Sequence, residues 1–320
     1  MLTKQNTAIV DVLIVALVAS VLFGVWSFSR SLALVVPLAN PGAPSVTIDT
    51  QVPVAQALAP ISLREENMSA FKTQLNQVLA DFTKAEPNKY GVVVQHLGSG
   101  VSASSSPEDI FISASLYKPF AAVLALKQVD QGKLHLDTPL AMADGRTVRQ
   151  CIVYTITISD NPCGHALLGA TGSKDASVAD KLKADGYQQT DLTGLYPVTS
   201  AQDVTLLFEH IYKGDLLSKN SNQLLLNALK NQQVNDRLPV GLNKDAVVAH
   251  KTGDLEGAVH DAGIVYSSQT GDYIITVLSG PDNSGRNLLG RYARFGELMK
   301  SVHELMIKNA AVLTSVDQSS

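Results

Sequence analysis

Ser115-Leu116-Tyr117-Lys118 sets a hydroxyl three residues ahead of an amine. On a helix, positions i and i+3 share a face, so Lys118 is placed to reach the Ser115 hydroxyl. A serine hydroxyl is a weak nucleophile unless a base takes its proton, and a lysine can serve once its pKa falls. Burial lowers that pKa, as does a second cation nearby, for which Lys251 is the candidate. A helix N-terminus beginning just before Ser115 would also favour developing negative charge. Pro119 disfavours helical geometry at the residue before it and is tolerated only within the first turn.

Two further triplets carry groups that complement this pair. Ser159-Asp160-Asn161 stands before Pro162, and alone it reads as a turn whose polar side chains bond their own backbone. Functionally, Ser159 offers a proton-relaying hydroxyl and Asn161 an amide to hold a substrate, with Asp160 holding the turn. Lys251-Thr252-Gly253 follows the strand pattern Val247-Val248-Ala249-His250. Its lysine and threonine hydroxyl can together hold a carboxylate, while Gly253 lets a ligand approach the backbone. His250 reads as a histidine satisfied within its strand. Ser69-Ala70-Phe71-Lys72 repeats the spacing of the first motif. It has no partner motif, and Ser69 is expected as a helix N-cap with Lys72 on the first-turn surface.

The elements that must position these groups are visible in the patterning. Phe71, Leu75, Val78 and Phe82 recur at helical spacing. Tyr90 to Gln95 reads as a strand, and the turn Leu97-Gly98-Ser99-Gly100 leads toward a second at Ile110-Phe111-Ile112. Helical patterns dominate from Ser115 to about Leu229. Strands return at Ala246 to His250, Val259 to Tyr266 and Tyr273 to Leu278, and a final helix aligns Tyr292, Phe295, Met299, Val302 and Met306. Strands first and last with helices between predict a mixed α/β fold of the α+β type. An antiparallel sheet is flanked by terminal helices, and an all-helical lobe is inserted. Ser115 falls at the junction of the lobes, where clefts form.

Composition narrows the partners. The chain is 45% hydrophobic and 17% charged, with a formal net charge of -4. That is a folded protein without the clustered Lys and Arg that nucleic acid requires. The N-terminus differs: after Lys4, an apolar run from Ala8 through Trp26 approaches the length that crosses a bilayer. Residues 1–30 are therefore expected to be a transmembrane anchor, with a cleaved signal peptide as the alternative. Lys4 keeps that end cytoplasmic and puts the rest outside the cell membrane. Residues 31–66 form a Pro-rich tether, residues 67–309 the folded domain, and 310–320 a disordered tail. Cys151 and Cys163, flanking the Ser159 triplet in an exported chain, are expected to form a disulfide. Neither a metal nor a cofactor is called for, and a monomer is expected.

Taken together, S-x-x-K, S-D-N and K-T-G in this order resemble the motif set of class A β-lactamases and penicillin-binding proteins. Gly145-Arg146-Thr147-Val148-Arg149 and Asp236-Arg237-Leu238-Pro239-Val240-Gly241 are also similar to that family, and the likeness spans roughly Asn67 to Asn309. The resemblance implies a β-lactamase or transpeptidase-like fold and a covalent acyl-enzyme. It makes Ser115 the nucleophile, Lys118 the base and Ser159 the proton shuttle. It also implies that Asn161 binds the acyl amide and that Lys251 and Thr252 bind a carboxylate. Gly253 accompanies them, and the N–H groups of Ser115 and Asp254 form the oxyanion hole.

One departure bears on turnover. The family's deacylating glutamate lies between the second and third motifs, yet no glutamate occurs from Asp109 through Phe208. The corresponding loop, Gly186 to Pro197, is shorter than the family's and contains a single acid, Asp191. His165 also stands where the family usually has asparagine. The expected function is therefore a β-lactamase-like serine hydrolase that acylates on β-lactams and deacylates slowly. A D-alanyl-D-alanine peptidase using the same serine and lysine is one alternative, and a penicillin-binding or sensing module without turnover is the other.

Overall fold

The computed structural model describes residues 62–84, 86, 89–172, 175–281 and 288–314. The expected anchor (1–30) and nearly all of the expected tether (31–66) lie outside the described residues. Among the described residues, no helix is long and apolar enough to cross a membrane.

Folding starts earlier than the apolar spacing suggested. Helix α1 spans Leu63–Thr83. It opens on a capping box in which Ser62 Oγ accepts from Glu65 N at 3.2 Å and Glu65 Oε2 accepts from Ser62 N at 2.8 Å. Residues 63–66 therefore belong to the domain, not to the tether. Ser69 is no cap: it and Lys72 lie exposed within α1. The capping signal was present at Ser62, but Ser69 stood nearer the apolar stripe.

Strand β1 (Tyr90–His96) is followed by β2 (Ser102–Ser105), β5 (Ala246–Leu255), β6 (Ala258–Ser267) and β7 (Tyr273–Ser279) in one sheet of order β2-β1-β7-β6-β5. Every pairing is antiparallel. The serine-rich β2 gave no apolar alternation to read, because it is an edge strand pairing only with β1. The short β3 (Phe111–Ile112) does not join this sheet; it pairs with β4 (Val198–Thr199). The strand holding Lys251-Thr252-Gly253 runs on through Leu255, so that triplet lies inside β5 rather than after a strand.

Both sheet faces are covered. On one, Val92, Val94, Ile275 and Val277 pack against Phe71, Leu75 and Leu79 of α1 and Phe295, Met299 and Val302 of α8 (Leu288–Lys308). On the other, Val93, Ile264, Ile274 and Leu278 meet the helical lobe. Its helices are α2 (Tyr117–Asp130), α3 (Val148–Thr157), α4 (Asn161–Ala170), α5 (Ala176–Ala184), α6 (Ala201–Lys213) and α7 (Lys219–Lys230). Coverage on both faces explains why β7 is buried at every position. The expected disordered tail begins too early: α9 (Ala310–Thr314) buries Leu313 against the α1–α8 layer. Residues 315–320 lie outside the described residues.

Cys151 on α3 and Cys163 on α4 form a disulfide across a sequence separation of 12. It closes the loop carrying Ser159, Asp160 and Asn161. Loop entropy for a ring of that size suggests at most about 3 kcal/mol of stabilisation. Thiol titration of the unreduced, denatured protein should find no free thiol, and reduction should lower the unfolding midpoint. Two titratable thiols would contradict the bridge.

Candidate active site

Ser115 lies in a 3₁₀ turn, Ala114–Leu116, that runs directly into α2. Ala114 has a left-handed backbone with φ 44°. Such a conformation is unfavourable for a residue with a Cβ, and here it lifts Ser115 to the cleft. Ser159 is left-handed too, with φ 59°. It sits between α3 and α4, where Asp160 caps α4 by accepting from Cys163 N at 2.8 Å. The second oxygen of Asp160 accepts from Arg146 Nη1 at 3.0 Å. Partial burial alone would raise the Asp160 pKa, but the Cys163 N–H and Arg146 outweigh it and hold the carboxyl below its usual range. The structural task expected of Asp160 is the one it performs.

Two buried lysines converge on the Ser159 hydroxyl. Lys118 Nζ donates to Ser159 Oγ at 3.0 Å, to Ser159 O at 2.6 Å and to Asn161 Oδ1 at 2.7 Å. Lys251 Nζ donates to the same Oγ at 3.0 Å and to Thr252 O at 2.7 Å. A hydroxyl oxygen has two acceptor sites, so both are taken and its own proton is left to donate elsewhere. Among the described residues, the hydrogen bonds of Lys118 run to the Ser159 turn and not to Ser115, unlike the direct contact expected from i, i+3 spacing.

Burial governs both amines. It pulls the Lys118 pKa down to about 8 despite the opposing charge of Asp160. Lys251 is pushed well below the usual lysine range by burial first and by the Lys118 charge second, with Asp261 opposing. An amine near neutrality can exchange a proton with a hydroxyl at physiological pH.

The third motif meets the first at Gly253. A Cβ there would lie 3.2 Å from Ser115 N, 3.3 Å from Ala114 Cβ and 3.2 Å from His260 Cδ2. The missing side chain eases this close approach of β5 to the serine turn. β5 is an edge strand of the sheet, paired with β6 alone. His250 is satisfied as expected, with Nδ1 2.8 Å from Asp261 Oδ1 and Nε2 2.9 Å from Asn235 Oδ1.

These residues border a cavity of about 540 Å³ whose walls include Ser115, Ser159, Asn161, Thr252 and Asp254. Asp254 is the only acid in that wall, and its oxygens are held by Arg237 Nη2 at 2.8 Å and Tyr292 Oη at 2.9 Å. Asp191 is not among the wall residues, and its Oδ1 accepts from both the Thr193 N–H and the Thr193 hydroxyl. The loop in the position of the family's glutamate, Gly186 to Pro197, presents Leu195 to the cleft, 87% exposed. Tyr117 and His165 complete that wall, their rings nearly parallel at 6.3 Å. The Tyr117 hydroxyl is buried without a hydrogen-bond partner, and burial pushes its pKa up to about 12.

Sequence reasoning missed several of these residues. Arg237 is buried, donates to Gly253 O and His260 O, and pairs with Asp254, yet only its motif neighbourhood was noted. Leu195 carries no polar group to attract notice. Among the described residues, no group of three or more His, Cys, Asp or Glu side chains could hold a metal ion.

Comparison with known proteins agrees with the geometry. The model of the "Beta-lactamase enzyme family" matches residues 70–295. A β-lactamase of Streptomyces albus G is 24% identical over 236 residues, covering 63% of this chain and 75% of that protein. A mutant class A β-lactamase of the last common ancestor of Gram-negative bacteria superposes with a TM-score of 0.65 at 25% identity, covering 72% and 97% of the two chains. A single-site mutant of PBP-A, solved as an acyl-enzyme complex with penicillin G, gives 0.65 at 25% identity, covering 75% and 97%. With the family model matching most of the chain and the fold shared with these structures, the chain belongs to the β-lactamase enzyme family.

Proposed function

We propose that Ser115 is the nucleophile of an acyl-transfer reaction in which its Oγ bonds the carbonyl carbon of a β-lactam. The observation that carries this is the convergence of Lys118 and Lys251 on Ser159 Oγ beside Ser115. Lys118, once neutral, takes the Ser115 proton. Ser159 delivers a proton to the ring nitrogen as the carbon–nitrogen bond breaks, leaving an ester on Ser115. The N–H groups of Ser115 and Asp254 stabilise the developing oxyanion. Asn161 holds the acyl amide, Lys251 and Thr252 hold the substrate carboxylate, and Gly253 admits the ligand against β5.

Release of the ester is slow in this reading, because among the described residues the one acid bordering the cleft, Asp254, is already held by Arg237 and Tyr292. The same feature supports a second reading, a D-alanyl-D-alanine peptidase that attacks the terminal amide of a cell-wall peptide. A disulfide and an apolar N-terminal run support an anchored domain outside the cytoplasm, residues 1–30 forming the anchor and the chain up to Ser62 the tether.

Intact-mass measurement with benzylpenicillin over time is the direct test. One equivalent should add to the wild-type protein, map to the Ser115 peptide and fail to add to Ser115→Ala. A label on the Ser69 peptide, or none anywhere, would overturn the assignment. Parallel release of D-alanine from a D-alanyl-D-alanine peptide, without β-lactam turnover, would favour the second reading.

A further inference from the structure

Where the Asp254 N–H points is decided by the hairpin that ends β5. Glu256 and Gly257 join β5 to β6 as a two-residue turn with φ of 50° and 84°, the mirror-image type whose twist matches the strands. In such a hairpin the flanking residues, here Leu255 and Ala258, form a hydrogen-bonded pair, and bonded pairs alternate with unbonded ones along the ladder. Gly253 and His260 are therefore the next bonded pair, and Asp254, opposite Val259, has its N–H turned away from β6. Among the described residues no peptide bond is cis. The Gly253 carbonyl and the Asp254 N–H share one trans peptide, so they point in opposite directions. Whatever holds the carbonyl aims the N–H.

One guanidinium holds groups on both sides of that N–H. Arg237 is 1% exposed, stands just before the 3₁₀ turn Leu238–Gly241 and is not among the wall residues of the cleft. Its Nη1 donates to Gly253 O at 3.2 Å and to His260 O at 3.1 Å, the two carbonyls of the bonded pair. A carbonyl oxygen has two lone pairs, so Gly253 O can serve β6 and Arg237 together. Nη2 donates to Asp254 Oδ2 at 2.8 Å, and Nε to Asp236 Oδ1 at 3.0 Å. The guanidinium also lies 4.2 Å from the centre of the Tyr292 ring, and the Tyr292 hydroxyl donates to Asp254 Oδ1 at 2.9 Å. Two carboxylates offset the charge of Arg237, so its influence lies in the direction of its rigid fork of N–H groups and not in its field. Such a clamp is needed here because Gly253 has the freest backbone of any residue type and the end of a ladder opens first.

We infer that Arg237 is the positioning residue of the oxyanion site, fixing the Gly253–Asp254 peptide so that the Asp254 N–H meets the carbonyl oxygen of the group transferred to Ser115. The inference rests on the acyl-transfer reading above and adds to it a residue outside the cleft wall.

Arg237→Met keeps the length of the side chain and removes every donor. Its first-order acylation by benzylpenicillin should fall about 10²-fold, the smaller end of what one lost oxyanion donor costs. Noncovalent affinity should stay within about twofold, because the N–H is engaged as charge develops in the transition state. Infrared difference spectra of the acyl-enzyme supply a signature that a merely structural role would leave in place. The ester carbonyl stretch should move to higher frequency in the variant, where its hydrogen bond is weakened. Arg237→Lys keeps the charge without the fork, should fall between the two, and replaces the methionine variant if that fails to fold. Wild-type acylation with an unmoved stretch, even at a lowered melting temperature, would overturn the inference. The N–H residual dipolar coupling of Asp254 in the unliganded protein separates this from the reaction itself. It should change in Arg237→Met while the couplings of Val248 and Ile264 hold. That change without acylation of the wild type by any penicillin would refute the acyl-transfer reading and leave the clamp standing, whereas an unchanged coupling would refute the clamp.

Discussion

Leu195→Glu is expected to release a benzylpenicilloyl group from Ser115 about 10²–10⁴-fold faster than the unaltered protein, the usual contribution of a positioned general base. Leu195 borders the cleft that contains Ser115 and is 87% exposed, so exchanging it costs no core packing. The acids already nearby are engaged, Asp254 by Arg237 and Tyr292 and Asp191 by Thr193. A glutamate at 195 would bring the first carboxylate able to take a proton from a water beside the ester. Leu195→Gln has the same shape and cannot accept that proton, so it should keep the long-lived adduct. Adduct decay after removal of excess penicillin, followed by mass, compares the three. Equal decay for the glutamate and glutamine variants would refute the idea that a missing base limits release.

A second large effect concerns Lys118. Burial holds its pKa at about 8. Below that value the amine is protonated and cannot accept the Ser115 proton, and above it the neutral form dominates. Acylation should therefore climb about tenfold per pH unit toward pH 8 and level beyond it. Lys118→Met removes the base and should slow acylation by about 10²–10⁴-fold while abolishing the climb. Stopped-flow traces with a chromogenic cephalosporin from pH 6 to 9, ordinary buffers spanning the neutral range, read both quantities. A flat wild-type profile, or a Lys118→Met variant as fast as wild type, would contradict the role.

Much of this arrangement was legible in the sequence because it is written in local patterns. β-branched runs marked β1, β6 and β7, and apolar spacing marked α1 and α8, since each depends on neighbours within a few residues. The Ser159 triplet fell on the turn expected of it, closed by the cysteine pair, whereas Lys251-Thr252-Gly253 lies inside β5. What escaped was decided by contacts between distant segments. β2 is held by its pairing to β1, not by its serines, and α9 exists because Leu313 finds a place among the buried residues of the α1–α8 layer. The direction of the Lys118 amine was misjudged for the same reason. Helical spacing places it near Ser115, but Ser159 and Asn161, some forty residues later, offer better acceptors. Nothing in a short, neutral string such as Thr193-Gly194-Leu195 signals that its leucine faces a reaction cleft.

The left-handed backbones at Ala114 and Ser159 have a consequence for how durable the site is. Each is a residue with a Cβ in a conformation costing roughly 1–2 kcal/mol, and each adjoins or carries a hydroxyl that must be aligned. Neither would stay there in an isolated peptide. The surrounding domain imposes both, drawing on a net stability that for folded domains is only about 5–15 kcal/mol. Alignment of the two serines is thus a property of the whole domain and not of their own segments. Any change that loosens the domain lets these two turns relax first, so reactivity fades while most of the fold is still in place.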